Sequence, residues 1–334
     1  MTNFVRIESG GERRYLPERF KMPNRKKDPR LFGYLPYFER PRIQWPGGAR
    51  VAFWVVPNIE VFELLPPHNR HRSPYGRPLP DTLKYSTADY GNRVGVWRMI
   101  EAMDARGVRG SVSLNTALCI HHPEIIEACV ARGWELFGHG IYNSRFPHGM
   151  DEAQERRMLV DAIETVDAVA GQRIVGWLAP GMANTPRTIE LIAEYGFAYT
   201  VDLFHDDQPF PVNTRKGRLT SVPYSVEGND LLVWYFTTLG SPRDWCNLLK
   251  RQFDRLYEEG AYSGTVMCIP LHPFAVGQPH RIDAFAEALD HITGHDDVWM
   301  TTGREIAAWF NTHHYDEFVA AIADREAAVA GGAS

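Results

Sequence analysis

The 334-residue chain has few cysteines, and none of the four lies in a CxxC pair: Cys119, Cys129, Cys246 and Cys268. This spacing predicts neither a disulfide framework nor a structural zinc knuckle, and it favours a reduced, cytoplasmic protein. No stretch approaches the roughly 20 apolar residues of a membrane span. No apolar run follows the charges of residues 1–20, so we expect no signal peptide and no membrane partner.

Positive charge is scarce beyond residue 50. Residues 1–50 carry twelve Lys or Arg against five Asp or Glu, whereas the whole chain has 36 against 41. A basic arm on an acidic body can bind nucleic acid. Residues 31–41 (LFGYLPYFERP) are rich in aromatic and apolar side chains, which favours packing on protein instead. We therefore expect residues 1–45 to form a basic, aromatic arm that docks on its own subunit or builds a homo-oligomer, with no nucleic-acid partner.

Strand and helix signals alternate between residues 46 and 315. Short apolar runs rich in β-forming residues predict strands, and these lie at 50–57, 110–115, 135–139, 173–178, 197–202, 231–236, 265–272 and 298–301. Helical periodicity with capping residues predicts helices between them, at about 93–106, 123–132, 151–170, 185–195, 241–259, 280–292 and from 302. This alternation predicts an α/β fold, a distorted (β/α) barrel of about seven to eight mainly parallel strands.

Two segments fall outside this alternation. Residues 64–92 are too polar for a core and too long for a simple connection, so they are a candidate lid loop over the catalytic barrel domain of residues 46–315. Residues 316–334 are expected to form a C-terminal tail whose last residues, EAAVAGGAS at 326–334, fray.

Polar side chains follow the predicted strands at the points where the strands end. They are Asn58 and Glu60, Asn115, His139, Asp202 and His272. Because the carboxyl ends of barrel strands share one rim, we expect these side chains to meet there. Each has a plainer interpretation: a solvated loop carboxylate for Glu60, a turn or core histidine for His139 and His272, and a cap for Asp202. The ordered set favours a site.

Four short motifs carry a family resemblance: IEV at 59–61, HGIYN at 139–143, APG at 179–181 and LHP at 271–273. In this order they resemble the polysaccharide deacetylase (NodB-homology) family, over about residues 45–312. The segments YGNRVGVWR at 90–98 and GWELFGHG at 133–140 are most similar to its cofactor-free allantoinase branch. The resemblance implies a NodB-like barrel and a hydrolase of carbon–nitrogen bonds other than peptide bonds.

The departures from the family pattern bear on the metal. The resemblance implies an Asp at position 61 and a His at position 143 in metal-dependent members, but this chain has Val61 and Asn143. Only His139 remains of the three ligands, and one good ligand holds a transition metal poorly. We therefore expect no metal and no other cofactor; the alternative is zinc or another divalent metal.

Without a metal, a protein base has to take the proton of the attacking water. Glu60 stands at the family's carboxylate position, and we expect burial beside Val61 to raise its pKa into a useful range. His139, Asn143 and the backbone N–H groups of 180–182 are candidate oxyanion donors. His272 is the candidate acid for the leaving nitrogen, oriented by Asp202. The predicted substrate-binding residues are Asn58, Asn115, Asn143, Trp177, Pro180, Gly181 and Met182.

The expected substrate is a small cyclic amide, imide or ureide, because its carbonyl is more reactive than that of a sugar acetamide. Ala179 and Met182 stand where the family and its allantoinase branch would have arginines, which favours a less polar ring than allantoin. Two alternatives stay open: a metal-dependent N-deacetylase of an N-acetylated sugar or polysaccharide, and a non-catalytic barrel that binds a small metabolite.

Overall fold

The computed structural model describes residues 4–9, 12–17, 31–67, 79–236 and 241–331. Its strands are β1 (Phe4–Ser9), β2 (Glu12–Pro17), β3 (Val51–Ile59), β4 (Ser111–Leu114), β5 (Glu135–Gly138), β6 (Gly176–Trp177), β7 (Tyr199–Thr200), β8 (Phe210–Val212), β9 (Leu219–Ser221), β10 (Thr265–Leu271) and β11 (Val298–Met300). Its helices are α1 (Thr82–Tyr90), α2 (Val96–Asp104), α3 (Leu118–His121), α4 (Pro123–Ala131), α5 (Glu152–Ala170), α6 (Thr188–Glu194), α7 (Asp230–Phe236), α8 (Pro242–Gly260), α9 (Pro273–Val276), α10 (Ile282–Thr293), α11 (Gly303–His313) and α12 (Tyr315–Gly331).

The main sheet runs in the order β10-β3-β4-β5-β6-β7-β9-β8, and β11 pairs with the first residues of β3. All pairings are parallel except that of β8 with β9. The backbone N–H of Val266 in β10 donates to the carbonyl of Asp207, just before β8, at 2.9 Å, which draws the two ends of the sheet together. The predicted α/β fold, a distorted and mainly parallel barrel, is confirmed.

One apolar cluster fills the inside of the barrel and a second lies between the sheet and the outer helices. Strand β3 contributes side chains to both. Its side chains alternate, so Phe53 and Val55 join the cluster under the outer helices while Trp54 and Val56 join the cluster inside the barrel. Inside, Trp54 is fully buried. This packing fixes β3, the strand that Glu60 directly follows, from both faces.

The apolar run at 231–236 is the helix α7, so the predicted strand there is wrong. The side-chain oxygen of Asn229 accepts hydrogen bonds from the N–H groups of Leu231 (3.1 Å) and Leu232 (3.2 Å), which starts a helix. A short apolar run does not by itself separate a buried strand from a buried helix. The eighth parallel strand is β9, reached through the antiparallel strand β8; neither strand was predicted from the sequence.

The predicted lid is only partly loop. Residues 68–78 lie outside the described residues, but residues 82–90 form α1, which continues through a π-helical turn at Gly91–Gly95 into α2. The C-terminal tail is also ordered as α12, where Phe318 is fully buried against Phe310 and Phe210. Helix α12 extends to Gly331, which contradicts the expected fraying for residues 326–331; residues 332–334 lie outside the described residues.

Residues 31–45 of the predicted arm pack on the body of the same chain. Leu35, Ile43 and Trp45 are buried in the cluster inside the barrel, and the indole N–H of Trp45 donates to the carbonyl of Thr265 at 2.9 Å. Among the described residues, no helix combines the length and apolarity needed to cross a bilayer. The four cysteines are buried and free of disulfides.

Candidate active site

The carboxyl ends of parallel strands bring Glu60, His139 and His272 to one rim, directly after β3, β5 and β10. One carboxylate oxygen of Glu60, Oε1, lies 3.6 Å from Nε2 of His139 and 3.6 Å from Nε2 of His272. All three side chains are buried, with Glu60 only 5% exposed. The rim therefore holds one carboxylate between two imidazoles.

Glu60 has a strongly shifted pKa, in the direction opposite to the one expected from the sequence. Burial raises the pKa of its carboxyl, but the hydrogen-bonding and charge interactions with His139 and His272 outweigh burial and lower it to about 2. The expected apolar neighbours are present, but the two nearby imidazoles determine the direction of the pKa shift. Glu60 is consequently an anion across the neutral pH range.

His272 is held by Asp230, a residue that was not among those predicted from the sequence. Asp230 is fully buried, and its Oδ1 lies 2.8 Å from Nδ1 of His272. Both of its oxygens also accept from the backbone N–H of His272, at 2.9 and 3.1 Å. Burial lowers the pKa of His272, but Asp230 and Glu60 overcome this and raise it to about 10. His272 is therefore an imidazolium between two carboxylates.

Asp202 was expected to orient His272, and the structure places it elsewhere. Its Oδ1 accepts from the backbone N–H of Ala179 at 2.9 Å, and its Oδ2 accepts from the hydroxyl of Thr200 at 3.3 Å. Burial raises the pKa of Asp202 to about 6, against the opposing effects of the Ala179 and Asn184 hydrogen bonds. Asp202 thus fixes the turn after β6, and the role assigned to it belongs to Asp230.

The tautomer of His139 follows from its backbone contact. Its Nδ1 lies 2.9 Å from the carbonyl oxygen of Leu178. A carbonyl only accepts, so Nδ1 carries the hydrogen and Nε2 faces Glu60.

Three predicted substrate-binding residues are structural instead. The amide of Asn115 accepts from the N–H of Val61 at 3.0 Å and donates to the carbonyl of His139 at 2.5 Å, which clamps two rim segments together. The amide of Asn58 donates to the hydroxyl of Tyr224 at 3.0 Å and to the carbonyl of Leu271 at 3.2 Å, below the rim. Sequence order does not reveal that these amides are already satisfied by the fold.

Trp177 is the third predicted substrate-binding residue that has a structural role instead. It is fully buried on the helix side of the sheet, within the outer apolar cluster, and packs edge-on against Phe197 with ring centroids 5.8 Å apart. A Cβ at Gly138 would lie 2.6 Å from its ring, so the indole covers the neighbouring strand. The side chain of a strand residue points to one face only, and here that face is not the mouth.

Asn143 and the turn Pro180–Met182 remain available to a ligand. The side-chain oxygen of Asn143 is buried and has no hydrogen-bond partner among the described residues. In the turn, the N–H of Met182 donates to the carbonyl of Ala179 at 2.8 Å and proline has no N–H, which leaves Gly181 as the candidate oxyanion donor. Met182 has a φ of 55°, an uncommon value for a side-chain-bearing residue and a mark of local strain.

The rim residues do not fit a transition-metal ion. Val61 offers no ligand atom, and Glu60, His139 and His272 are not among the described residues that bring three ligand atoms within 4.8 Å of one another. Two ligands of one zinc ion, each bound at about 2.0–2.1 Å, lie at most about 4.2 Å apart. The donor set of the metal-dependent deacetylases is therefore not reproduced here.

The ionised pair predicts a pH window for stability. The pKa of Glu60, about 2, lies below its ordinary 4.5, so its contribution is present above 4.5 and lost as pH falls toward 2. The pKa of His272, about 10, lies above its ordinary 6.5, so its contribution is present below 6.5 and lost as pH rises toward 10. In urea denaturation, Glu60→Gln should flatten the acid limb; an acid limb identical to that of wild type would contradict this assignment.

The strand-end rim carries a buried acid–base constellation, and the comparisons with known proteins identify the class of enzyme to which it belongs. A family model described as polysaccharide deacetylase matches residues 76–200. A peptidoglycan deacetylase from Helicobacter pylori is 27% identical over 216 residues, covering 55% of this chain and 72% of that protein.

Two solved structures superpose over most of the chain. The PuuE allantoinase structure has a TM-score of 0.76 and 30% identity, covering 85% of this chain and 97% of that one. A Pseudomonas aeruginosa PAO1 structure, described as a probable polysaccharide deacetylase, has a TM-score of 0.74 and 30% identity, covering 82% and 95%. The protein belongs to the polysaccharide deacetylase family, as its motifs predicted, and is a hydrolase of carbon–nitrogen bonds.

Proposed function

We propose that this protein opens a small cyclic amide, imide or ureide by hydrolysis, without a catalytic metal. The observation that carries the proposal is the buried ion pair of Glu60 and His272, held by Asp230 at a rim where Val61 and Asn143 replace metal ligands. A base and an acid are both present in their working protonation states: Glu60 as carboxylate and His272 as imidazolium.

The two groups divide the proton transfers of ring opening. As the water oxygen bonds to the carbonyl carbon, its proton passes to Glu60; as the C–N bond breaks, Nε2–H of His272 protonates the leaving nitrogen. Glu60 then returns its proton to His272. Because the pKa of Glu60 lies below its ordinary value and that of His272 lies above its own, this last transfer is favourable and restores the resting pair.

The low pKa of Glu60 also makes the first transfer costly, at about 1.4 kcal/mol for each unit by which base strength is reduced. Two features reduce this cost. Nε2 of His139 and Oε1 of Glu60, 3.6 Å apart, are both within reach of one water molecule, which would fix its position. We assign the N–H of Gly181, in the turn after β6, to the support of the oxyanion. We therefore assign His139 to water positioning rather than to the oxyanion role expected from the sequence.

The unpaired acceptors favour a substrate that carries N–H groups. Oε2 of Glu60 and the side-chain oxygen of Asn143 are buried without partners among the described residues, and such atoms are costly unless a ligand supplies donors. A ring amide, imide or ureide has N–H donors beside its carbonyl. The 30% identity to a PuuE allantoinase supports a ring substrate of this class, while Ala179 and Met182 favour a less polar ring.

A substrate panel with and without chelator tests this proposal. Allantoin, hydantoins, succinimide and dihydropyrimidines are assayed beside N-acetylglucosamine oligomers. We expect turnover of at least one ring compound at a rate that chelator leaves unchanged, because no reacting group depends on a metal. Hydrolysis of the oligomers alone, abolished by chelator, would overturn the proposal.

The second candidate is a metal-dependent N-deacetylase of an N-acetylated sugar or polysaccharide. The match to the polysaccharide deacetylase model and the similarity to the H. pylori peptidoglycan deacetylase favour it. The side chains of Val61 and Asn143 oppose it. The same panel separates the two candidates, since only the second predicts polymer hydrolysis that is restored by adding a divalent metal after chelation.

A further inference from the structure

A second cluster of ligating side chains lies at the opposite end of the barrel. Asp254 belongs to α8, His291 to the last turn of α10, and His295 follows α10 by two residues. The chain then enters β11 at Val298, and strands begin at the end of the barrel opposite the catalytic mouth. No step of the proposed reaction uses these residues.

The three side chains bring one ligand atom each within 4.8 Å of one another. Nε2 of His291 already lies 2.6 Å from Oδ1 of Asp254, and the rings of His291 and His295 have centroids 5.0 Å apart. We propose that Asp254, His291 and His295 bind one divalent transition-metal ion of the zinc class. Two imidazoles and a carboxylate, completed by water, are a common donor set for zinc.

The tautomer of His295 supports this assignment. Its Nδ1 lies 2.7 Å from the carbonyl oxygen of His291, so Nδ1 carries the hydrogen and Nε2 keeps its lone pair. A backbone carbonyl bound to the second imidazole nitrogen is the usual orienting contact of a metal-ligating histidine. Phe253 and Tyr257 hold the ring edge-on, with centroids 4.9 and 5.2 Å away, which restricts the directions in which Nε2 can point.

The surrounding charge also suits a cation. Asp254 supplies a negative charge, and His291 lies in the last turn of α10, where the helix dipole is negative. Asp254 is half exposed and His291 is partly exposed, so a hydrated ion has access and the side chains have room to adjust. An ion bound here would tie α8 to α10, which pack against each other on the outside of the barrel.

Zinc titration of the chelator-treated full chain tests the site. By isothermal titration calorimetry, we expect one equivalent to bind to wild type and affinity to fall by more than about tenfold in Asp254→Asn and in His295→Gln. His280→Ala, which removes an exposed histidine elsewhere, is the matched control and should bind as wild type does. Zinc should also raise the melting temperature of wild type and control only.

Asp254 is exposed, so Asp254→Asn is expected to fold, and circular dichroism checks this. Hydrolytic activity should be the same with and without zinc, because the site lies away from the mouth. Absence of one-equivalent binding to wild type, or equal binding to both ligand variants, would overturn the proposal.

Discussion

Glu60→Gln should lower kcat on the best ring substrate by about 10²–10⁴-fold, the range attributed to a positioned acid or base. Glutamine keeps the size of the side chain and its hydrogen-bonding capacity toward His272, but it accepts no proton from water. KM should change little, since Glu60 acts on water rather than holding the ring. Steady-state kinetics with saturating substrate measures the effect.

The matched control is Glu63→Gln, which changes a carboxylate in the same segment that pairs with Arg145 at 2.6 Å, away from the imidazoles. Its kcat should stay within about threefold of wild type, the scatter ordinarily seen for a surface ion pair worth about 0–1 kcal/mol. If Glu60→Gln also stays near wild type, Glu60 is not the base. If wild type turns over no compound while both proteins bind ligand equally, the barrel is a binding protein.

Asp230→Asn should move the alkaline limb of the pH profile. His272 has to be protonated to act as the acid, so wild-type activity should persist through neutral pH and fall as pH rises through about 10. Removing the charge of Asp230 brings the pKa of His272 down toward its ordinary 6.5, and the limb moves with it. At pH 8 an imidazole of pKa 6.5 is only about 3% protonated, so the variant should lose about 30-fold in kcat/KM.

The control for this shift is Asp202→Asn. Asp202 is a buried carboxylate of the same rim, but it bonds to Ala179 and Thr200 and not to His272. Its alkaline limb should stay where the wild-type limb is. An Asp230→Asn limb that also stays at wild-type pH would mean that His272 is not the titrating acid.

The rim of the barrel was predictable because it depends on order along the chain. Strands followed by helices pack in parallel, so residues just past the strands share one end. Glu60, His139 and His272 meet there for this reason. The position of Trp45 and the other apolar residues of the arm against the body likewise follows from their burial free energy.

The direction in which each rim side chain points, and its distance from its partners, could not be predicted in the same way. Asn115 and Trp177 also lie at strand ends. The side-chain amide of Asn115, however, is hydrogen-bonded to backbone groups, and the side chain of Trp177 points to the helix side of the sheet. Asp230 was missed because the apolar residues 231–236 that follow it were predicted to form a strand. In the structure Asp230 is the first residue of helix α7. The direction of the Glu60 pKa shift depends on its 3.6 Å contacts with two imidazoles, and spacing along the sequence does not reveal such contacts.

The most direct test of the central claim pairs turnover with metal content in one preparation. The variant His295→Gln is used because it lacks one ligand of the proposed metal site outside the catalytic rim. It is purified, stripped with chelator and analysed for bound transition metal while its hydrolysis of the best ring substrate is followed. We predict wild-type kcat in metal-depleted protein, because Glu60 and His272 supply the base and the acid. Activity that vanishes on depletion and returns in proportion to added zinc would contradict the account.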